Sequence, residues 1–296
     1  GVKLFLGSST GNLIVNSEEQ IENIFKSIKI PITLHCEVNE IIKKNEHHAI
    51  NKYGKNIPFS EHSNIRSTEA CWLSTKYATE LAQKYDTQIH ILHMTSAKEL
   101  KFFTNKSISN KKITVEACPH HLWFCNDDYY NKGSLIKCNP SIKSRMDREA
   151  LREALNEDLI DTVGTDHAPH LLNEKQDSYL NTPSGMPIVQ SAIPSLLEYL
   201  SPEKVAEKTA HNPSIIFKCQ DRGFIREGYY ADLTVIDPDL SHTVNQENIL
   251  YHCGWSPFDG VTFKNTVSIT IINGQIAYQN NLPNDNTRGM RLVFNR

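Results

Sequence analysis

The sequence has no CxxC pair: its seven cysteines, Cys36, Cys71, Cys118, Cys125, Cys138, Cys219 and Cys253, are scattered. That argues against a structural zinc knuckle. An odd number of dispersed thiols in a chain of this size fits free cysteines in a reducing cytoplasm. No apolar run approaches the roughly 20 residues that a membrane-spanning helix needs. The opening GVKLFLGSSTGN has one basic residue and too short an apolar stretch for a signal peptide. A basic excess is also missing. With a net charge of -3, a protein that tracks nucleic-acid phosphates is not expected. Neither GxGxxG nor GxxxxGK[ST] occurs at the glycine-rich Gly7–Asn12 stretch, so a tight strand-to-helix turn is expected there in place of a nucleotide-phosphate site. No fixed-period repeat and no low-complexity segment is visible.

What remains is ordinary globular composition, and 296 residues suffice for one large domain or one large plus one small. Short apolar runs alternate with helical patterns. The runs at Val2–Leu6, Ile32–His35, Ile89–His93, Ile113–Ala117 and Thr162–Thr165 read as strands. Helices are expected at Ser17–Ile28, with Ser17 and Gln20 spaced as a capping box, and at Thr68–Tyr85, Ala97–Phe103, Asp147–Leu155, Ile188–Leu200 and Pro202–Ala210. The polar stretch Glu37–Asn64 reads as an elaborated loop. Strands separated by helices predict βα units on a parallel sheet. After about Cys219 the pattern becomes β-rich, with turns at Gly228 and Asn273–Gly274. The reading is an α/β barrel portion over 1–220 and a small β-sandwich portion over 221–296.

Metal-competent residues end three of the apolar runs. ITLH ends in His35, IHILH in His93 and DTVGTD in Asp166. In (β/α)8 barrels the strand C-termini face the active site, and imidazoles with a carboxylate suit zinc or a similar divalent ion. Lys3, inside VKLFL, admits two readings. On an edge strand it points to solvent. At a barrel mouth beside metal ions a free ammonium would cost too much, unless carbon dioxide adds to the amine and yields an anionic carbamate able to bridge two metals. CPHH at Cys118–His121 could pass for a metal cluster, but Pro119 and its context favour a structured loop after the Ile113–Ala117 strand. Asn139 in KCNPSIK has the donor and acceptor to read an amide ring edge, and is equally compatible with a plain turn.

Together these stretches resemble the dihydroorotases, in particular the bacterial group with a carboxylated lysine. The matching segments are VKLFLGSSTGN, TLHCE, HILHMTS, VEACPHHL, KCNPSIKS, GTDHAPH, PSGMP, HNPSIIF, DRGFIREGYYADLTVID and CGWSPFDG. The resemblance implies a TIM-type metal-dependent hydrolase barrel with two zinc ions and a composite β-sandwich built from both chain ends. It implies Lys3 as the carboxylated bridging ligand, His35 and His93 as ligands of the second zinc, and Asp166 as a ligand of the first zinc and the general acid/base. Asn139, His170 and the main chain around Gly185 are implied as substrate contacts, with His170 helping to hold the substrate carboxylate. The implied reaction is reversible conversion between L-dihydroorotate and N-carbamoyl-L-aspartate in pyrimidine biosynthesis, through a hydroxide bridging the metals. Small-molecule substrates, a cytoplasmic location and a homodimer are the accompanying expectations.

The family also carries an HxH pair followed closely by an arginine, and no HxH occurs in this sequence. The expectation is therefore that the first three barrel strands lie before Gly1, that the barrel starts here at about its fourth strand, and that these 296 residues alone are inactive and hold at most the second zinc. Two alternatives stay open: another cyclic amidohydrolase of the hydantoinase or allantoinase type, and a non-catalytic scaffold that binds a partner enzyme such as aspartate transcarbamoylase.

Overall fold

The computed structural model describes residues 1–6 and 17–295, so the turn expected at Gly7–Asn12 lies outside the described residues. Five strands, β1 (Val2–Leu6), β2 (Ile32–Cys36), β3 (Ile89–Ile91), β4 (Ile113–Ala117) and β5 (Thr162–Val163), form one sheet in sequential order. All four pairings are parallel. Register partners in a parallel sheet share a face, so the pairing sorts the side chains. Leu4, Leu34, Ile91 and Val115 lie on one face, and Lys3, Thr33, His90 and Thr114 on the other. The first row packs against the helices in the main core with Phe25, Ala78, Leu151 and Leu196. The second row is polar and faces inward, where His90 bonds Thr114 at 2.8 Å and Thr162 at 3.3 Å. This is the βα layering of a TIM-type barrel.

The helices form where short-range signals agree. In α1 (Glu18–Ser27), Ser17 accepts from the Gln20 amide, Glu18 and Glu19 occupy the first turn, and Ile21 and Phe25 face the core one turn apart. Between β2 and β3 the stretch expected as a loop is mostly helical: α2 (Asn39–Tyr53) is followed by short turns at Phe59–Glu61 and His62–Ile65. Only Ile42 and Ala49 of α2 are buried, which is too sparse a stripe to show in the sequence. They pack in a satellite core with Ile57, Ile65 and Tyr179. The 18-residue α3 (Thr68–Tyr85) follows, capped by Ser67. CPHH is not a loop either. It opens α4 (Pro119–Trp123), with Pro119 in the first turn, where its missing N–H costs nothing. Helix α5 (Arg145–Asn156) starts with a reciprocal cap between Ser144 and Asp147.

Ala97–Phe102 is a tighter 3-10 turn, and the helix expected over Ile188–Leu200 is confined to α6 (Val189–Leu196). The helix at Pro202–Ala206 passes through a π turn at Glu207–His211 into Asn212–Phe217. No helix among the described residues is long and apolar enough to cross a membrane. The C-terminal strands β6 (Leu233–Asp237), β9 (Thr266–Ile272), β10 (Gln275–Gln279) and β11 (Leu282–Pro283) form an antiparallel sheet, and β7 (His242–Thr243) pairs with β8 (Thr262–Phe263). No residue of β6, β9 or β10 is fully buried. By contrast Val244, Trp255, Phe258 and Phe263 return to the barrel side and pack with Phe124, Ile136 and Ile188.

His62 locks the satellite core to the barrel. Its Nε2 donates to the Cys138 carbonyl at 2.7 Å, and its Nδ1 accepts from the Tyr179 hydroxyl at 2.8 Å, so the neutral ring is fully used. Burial holds its pKa well below the ordinary value of 6.5. As pH falls below about 6.5 the unfolded chain takes up a proton that the folded ring refuses, so acid favours unfolding by about 1.4 kcal/mol per pH unit. In His62→Gln the fall of unfolding free energy between pH 7 and 5, measured by urea titration, is expected to be shallower by that amount. An unchanged slope would assign the acid sensitivity to other groups.

Candidate functional site

At the carboxyl ends of the parallel strands lies a pocket of about 220 Å³, lined by Lys3, Phe5, His35, Arg66, His93, Asn139, Asp166 and Gly185, among others. Six of the seven residues singled out in the sequence therefore surround one space. The seventh, His170, is absent from the lining and stands beside it: its Nε2 donates to the Ser184 carbonyl at 3.2 Å. Lys3 and Phe5 come from β1 and His35 from β2. Among the described residues Lys3 has features of both sequence readings: it is exposed on the edge strand of the sheet, and it lies on the inward face, 4.9 Å over the Phe5 ring.

His93 and Asp166 lie two and three residues past the ends of β3 and β5, whose ordered pairing stops at Ile91 and Val163. Both adopt left-handed backbone, with φ of 39° and 45°. That conformation costs a non-glycine residue about 1–3 kcal/mol and is typically retained where function requires it. Here it turns each side chain towards the pocket mouth in place of continuing the strand.

His35 Nδ1 and His93 Nε2 face each other at 3.0 Å. His35 Nε2 meets a Glu37 oxygen at 2.9 Å, and Glu37 also accepts from Arg66. A carboxylate on Nε2 makes that nitrogen the donor and leaves a lone pair on Nδ1. Burial alone would raise the Glu37 pKa, but the Arg66 guanidinium and His35 outweigh it and hold the carboxyl well below its usual range. Burial, then His35, keeps His93 neutral, with a pKa well below the ordinary value. Two imidazoles aim ring nitrogens at one point, and one of them is backed by a carboxylate. This is the donor set and support that a divalent metal takes. Asp166 opens onto the pocket. Desolvation by the walls raises its pKa above the ordinary carboxylate value, and Lys3 partly offsets this.

The opposite wall is main chain. At Gly185 φ is 136°, and a Cβ there would lie 2.7 Å from the Ala168 carbonyl oxygen, so glycine is required. Two buried lysines hold this wall. Lys137 Nζ donates to Tyr179 O and Thr182 O, both at 2.6 Å, and Lys175 Nζ to Pro183 O at 2.8 Å and Gly185 O at 2.9 Å. Replacing Lys175 with Met strips donors from both carbonyls, at about 1–3 kcal/mol for each acceptor left unsatisfied. Lys175→Met is expected to lower stability, offset in part by removal of a buried charge, as measured by urea unfolding; wild-type stability would show that the two carbonyls do not depend on Lys175.

Glu37, Arg66, His120 and Cys138 escaped the sequence reading as parts of the site. Glu37 had a signal, because in HCE it follows His35 by two positions and so shares its face. Arg66 had none. It comes from the turn beyond α2, 29 residues from its partner Glu37.

The amidohydrolase family model matches residues 14–277, and the chain belongs to that family. Among curated proteins it is similar to dihydroorotases. That of Pyrococcus furiosus is 30% identical over 98% of this chain and 64% of its own length, and that of Halobacterium salinarum is 36% identical over 67% of this chain and 47% of its own length. The chain thus spans less than two thirds of these relatives. Among solved structures, the L-hydantoinase of Arthrobacter aurescens superposes with a TM-score of 0.85 at 21% identity, covering 99% of this chain and 66% of that one. The D-hydantoinase of a Thermus species gives 0.84 at 19%, covering 95% and 64%. At these identities the structures establish the barrel fold.

Proposed function

We propose that this protein acts as a dihydroorotase, opening and closing the ring between L-dihydroorotate and N-carbamoyl-L-aspartate with the help of two zinc ions. One observation carries the reading: Lys3, His35, His93 and Asp166 share a single pocket, in a chain whose curated relatives are dihydroorotases. His35 and His93 would hold one zinc, Asp166 would hold the other, and Lys3, carboxylated on Nζ, would supply a further anionic ligand. When bound, the metals supply Lewis acidity towards the ring carbonyl and lower the pKa of water to about 7.

The remaining work falls to the chain. Asp166 takes a proton on its carboxylate and returns it to the departing ring nitrogen. A carboxylate fixed at the pocket mouth is a group of the type that performs such an exchange. Asn139, whose Oδ1 is buried with no protein partner, offers an amide to the ring edge. The Gly185 main chain supports the ring from the other side, and His170 serves the carboxylate end. Glu37 orients His35.

The test is the zinc-loaded protein, at its full natural length, assayed on dihydroorotate beside a hydantoin. Turnover of dihydroorotate with at least tenfold preference in kcat/KM supports the reading. Preference for the hydantoin would make it a hydantoinase, and zinc-loaded protein inert on both would make it a scaffold.

A further inference from the structure

We infer that Cys118, His120 and His121 form an additional soft-metal site, suited to zinc, beside the pocket and separate from the residues assigned to catalysis. One ligand atom from each lies within 4.8 Å of those of the other two, and all three residues are buried. A tetrahedral zinc, with metal–sulfur near 2.3 Å and metal–nitrogen near 2.1 Å, places its ligand atoms roughly 3.5 Å apart. A zinc bound here would draw the three ligand atoms closer together than the 4.8 Å that bounds them.

The hydrogen bonding points the same way. His121 Nε2 donates to the Pro140 carbonyl at 3.0 Å, which leaves the lone pair on Nδ1. That Nδ1 is buried without a partner, and so are both ring nitrogens of His120. An imidazole oriented by a backbone carbonyl on its far nitrogen is the usual arrangement behind a metal ligand. Buried polar atoms left unpaired are costly, and a metal ion would satisfy two of them at once. Helix α4 explains the convergence. Cys118 is its cap residue and the two histidines occupy its first turn, so three consecutive-type ligands reach one point without help from a distant segment. His120 also lines the pocket, which supplies an entry path. On binding, the Cys118 S–H bond breaks, its proton leaves to solvent, and sulfur binds the ion as thiolate. Three protein ligands leave the fourth position to water. A thiolate with two imidazoles favours zinc over magnesium or calcium.

The inference is independent of the dihydroorotase reading. Lys3, His35, His93 and Asp166 contain no sulfur, so a sulfur signature reports on this cluster and activity does not. Cobalt-loaded protein is expected to show thiolate-to-metal charge-transfer absorption in the near ultraviolet. Cys118→Ser should abolish it and bind one fewer cobalt per chain, whereas Cys138→Ser should retain it. Cys138 is the discriminating control because its Sγ lies 3.7 Å from His121 Nε2. No absorption in cobalt-loaded wild type, absorption that survives Cys118→Ser, or absorption lost with Cys138→Ser would overturn the assignment. Should Cys118→Ser fail to fold, X-ray absorption on zinc-loaded wild type decides the matter. A sulfur neighbour at about 2.3 Å supports the site, and a shell of nitrogen and oxygen alone rejects it.

Discussion

In the protein at its full natural length, Asp166→Asn is expected to lower dihydroorotate turnover by about 10²–10⁴-fold, the usual contribution of a positioned acid/base group, while zinc content falls little. Asn keeps an oxygen able to coordinate but cannot carry a proton at neutral pH. The site makes Asp166 the best candidate for that role. It stands in left-handed backbone at the end of β5, which costs stability unless something is gained. Its carboxyl is also pushed above the ordinary value by desolvation. Steady-state hydrolysis followed by ultraviolet absorbance, with zinc by atomic absorption, separates the two effects. Turnover within a few-fold of wild type would remove Asp166 from proton transfer, and loss of zinc in proportion to turnover would make it a ligand only.

Glu37→Leu should act on both fold and site. Glu37 is completely buried, accepts from His35 and pairs with Arg66. Removing the carboxylate takes a charge-assisted hydrogen bond, worth about 1.5–3 kcal/mol, from each of His35 and Arg66. Loss of the carboxylate behind His35 also frees the imidazole to turn or change tautomer, and such losses lower metal affinity by about 10–100-fold. Urea unfolding of metal-free protein measures the first effect, and zinc competition against a chelator measures the second. Glu37→Gln, which keeps an acceptor oxygen, is expected to recover part of the affinity. Wild-type zinc affinity in folded Glu37→Leu would show that His35 is held by something else.

Much of this molecule was legible without coordinates because the signals are local. The apolar runs, the Ser17 cap and the Asn273–Gly274 turn depend on neighbours a few residues away, and each stands where the sequence places it, whereas the helix expected from Asp147 starts earlier, at Arg145, with Ser144 as its cap. The apolar runs that end near His35, His93 and Asp166 likewise become parallel strands, because buried βα strands need little more than a short β-branched run. Helix α2 was illegible. Its two buried residues pack on side chains from later segments, so its stability comes from tertiary contact and not from its own periodicity.

The residue pattern by itself, then, determined the alternation of strands and helices and the placement of His35, His93 and Asp166 at strand ends, since chain order puts those ends on one side of a parallel sheet, while the barrel class, Asn139 and Gly185 came from the family resemblance. Tertiary structure alone decided that His93 and Asp166 turn through left-handed backbone, that Arg66 reaches Glu37 behind His35, and that His170 sits beside the pocket and not in it. It also brought the Cys118, His120 and His121 ligand atoms together at the start of α4. The reason is common to all four. Each depends on where a side chain points after distant segments have packed, and pattern along the chain specifies the face of an element but not the direction of a side chain beyond its end.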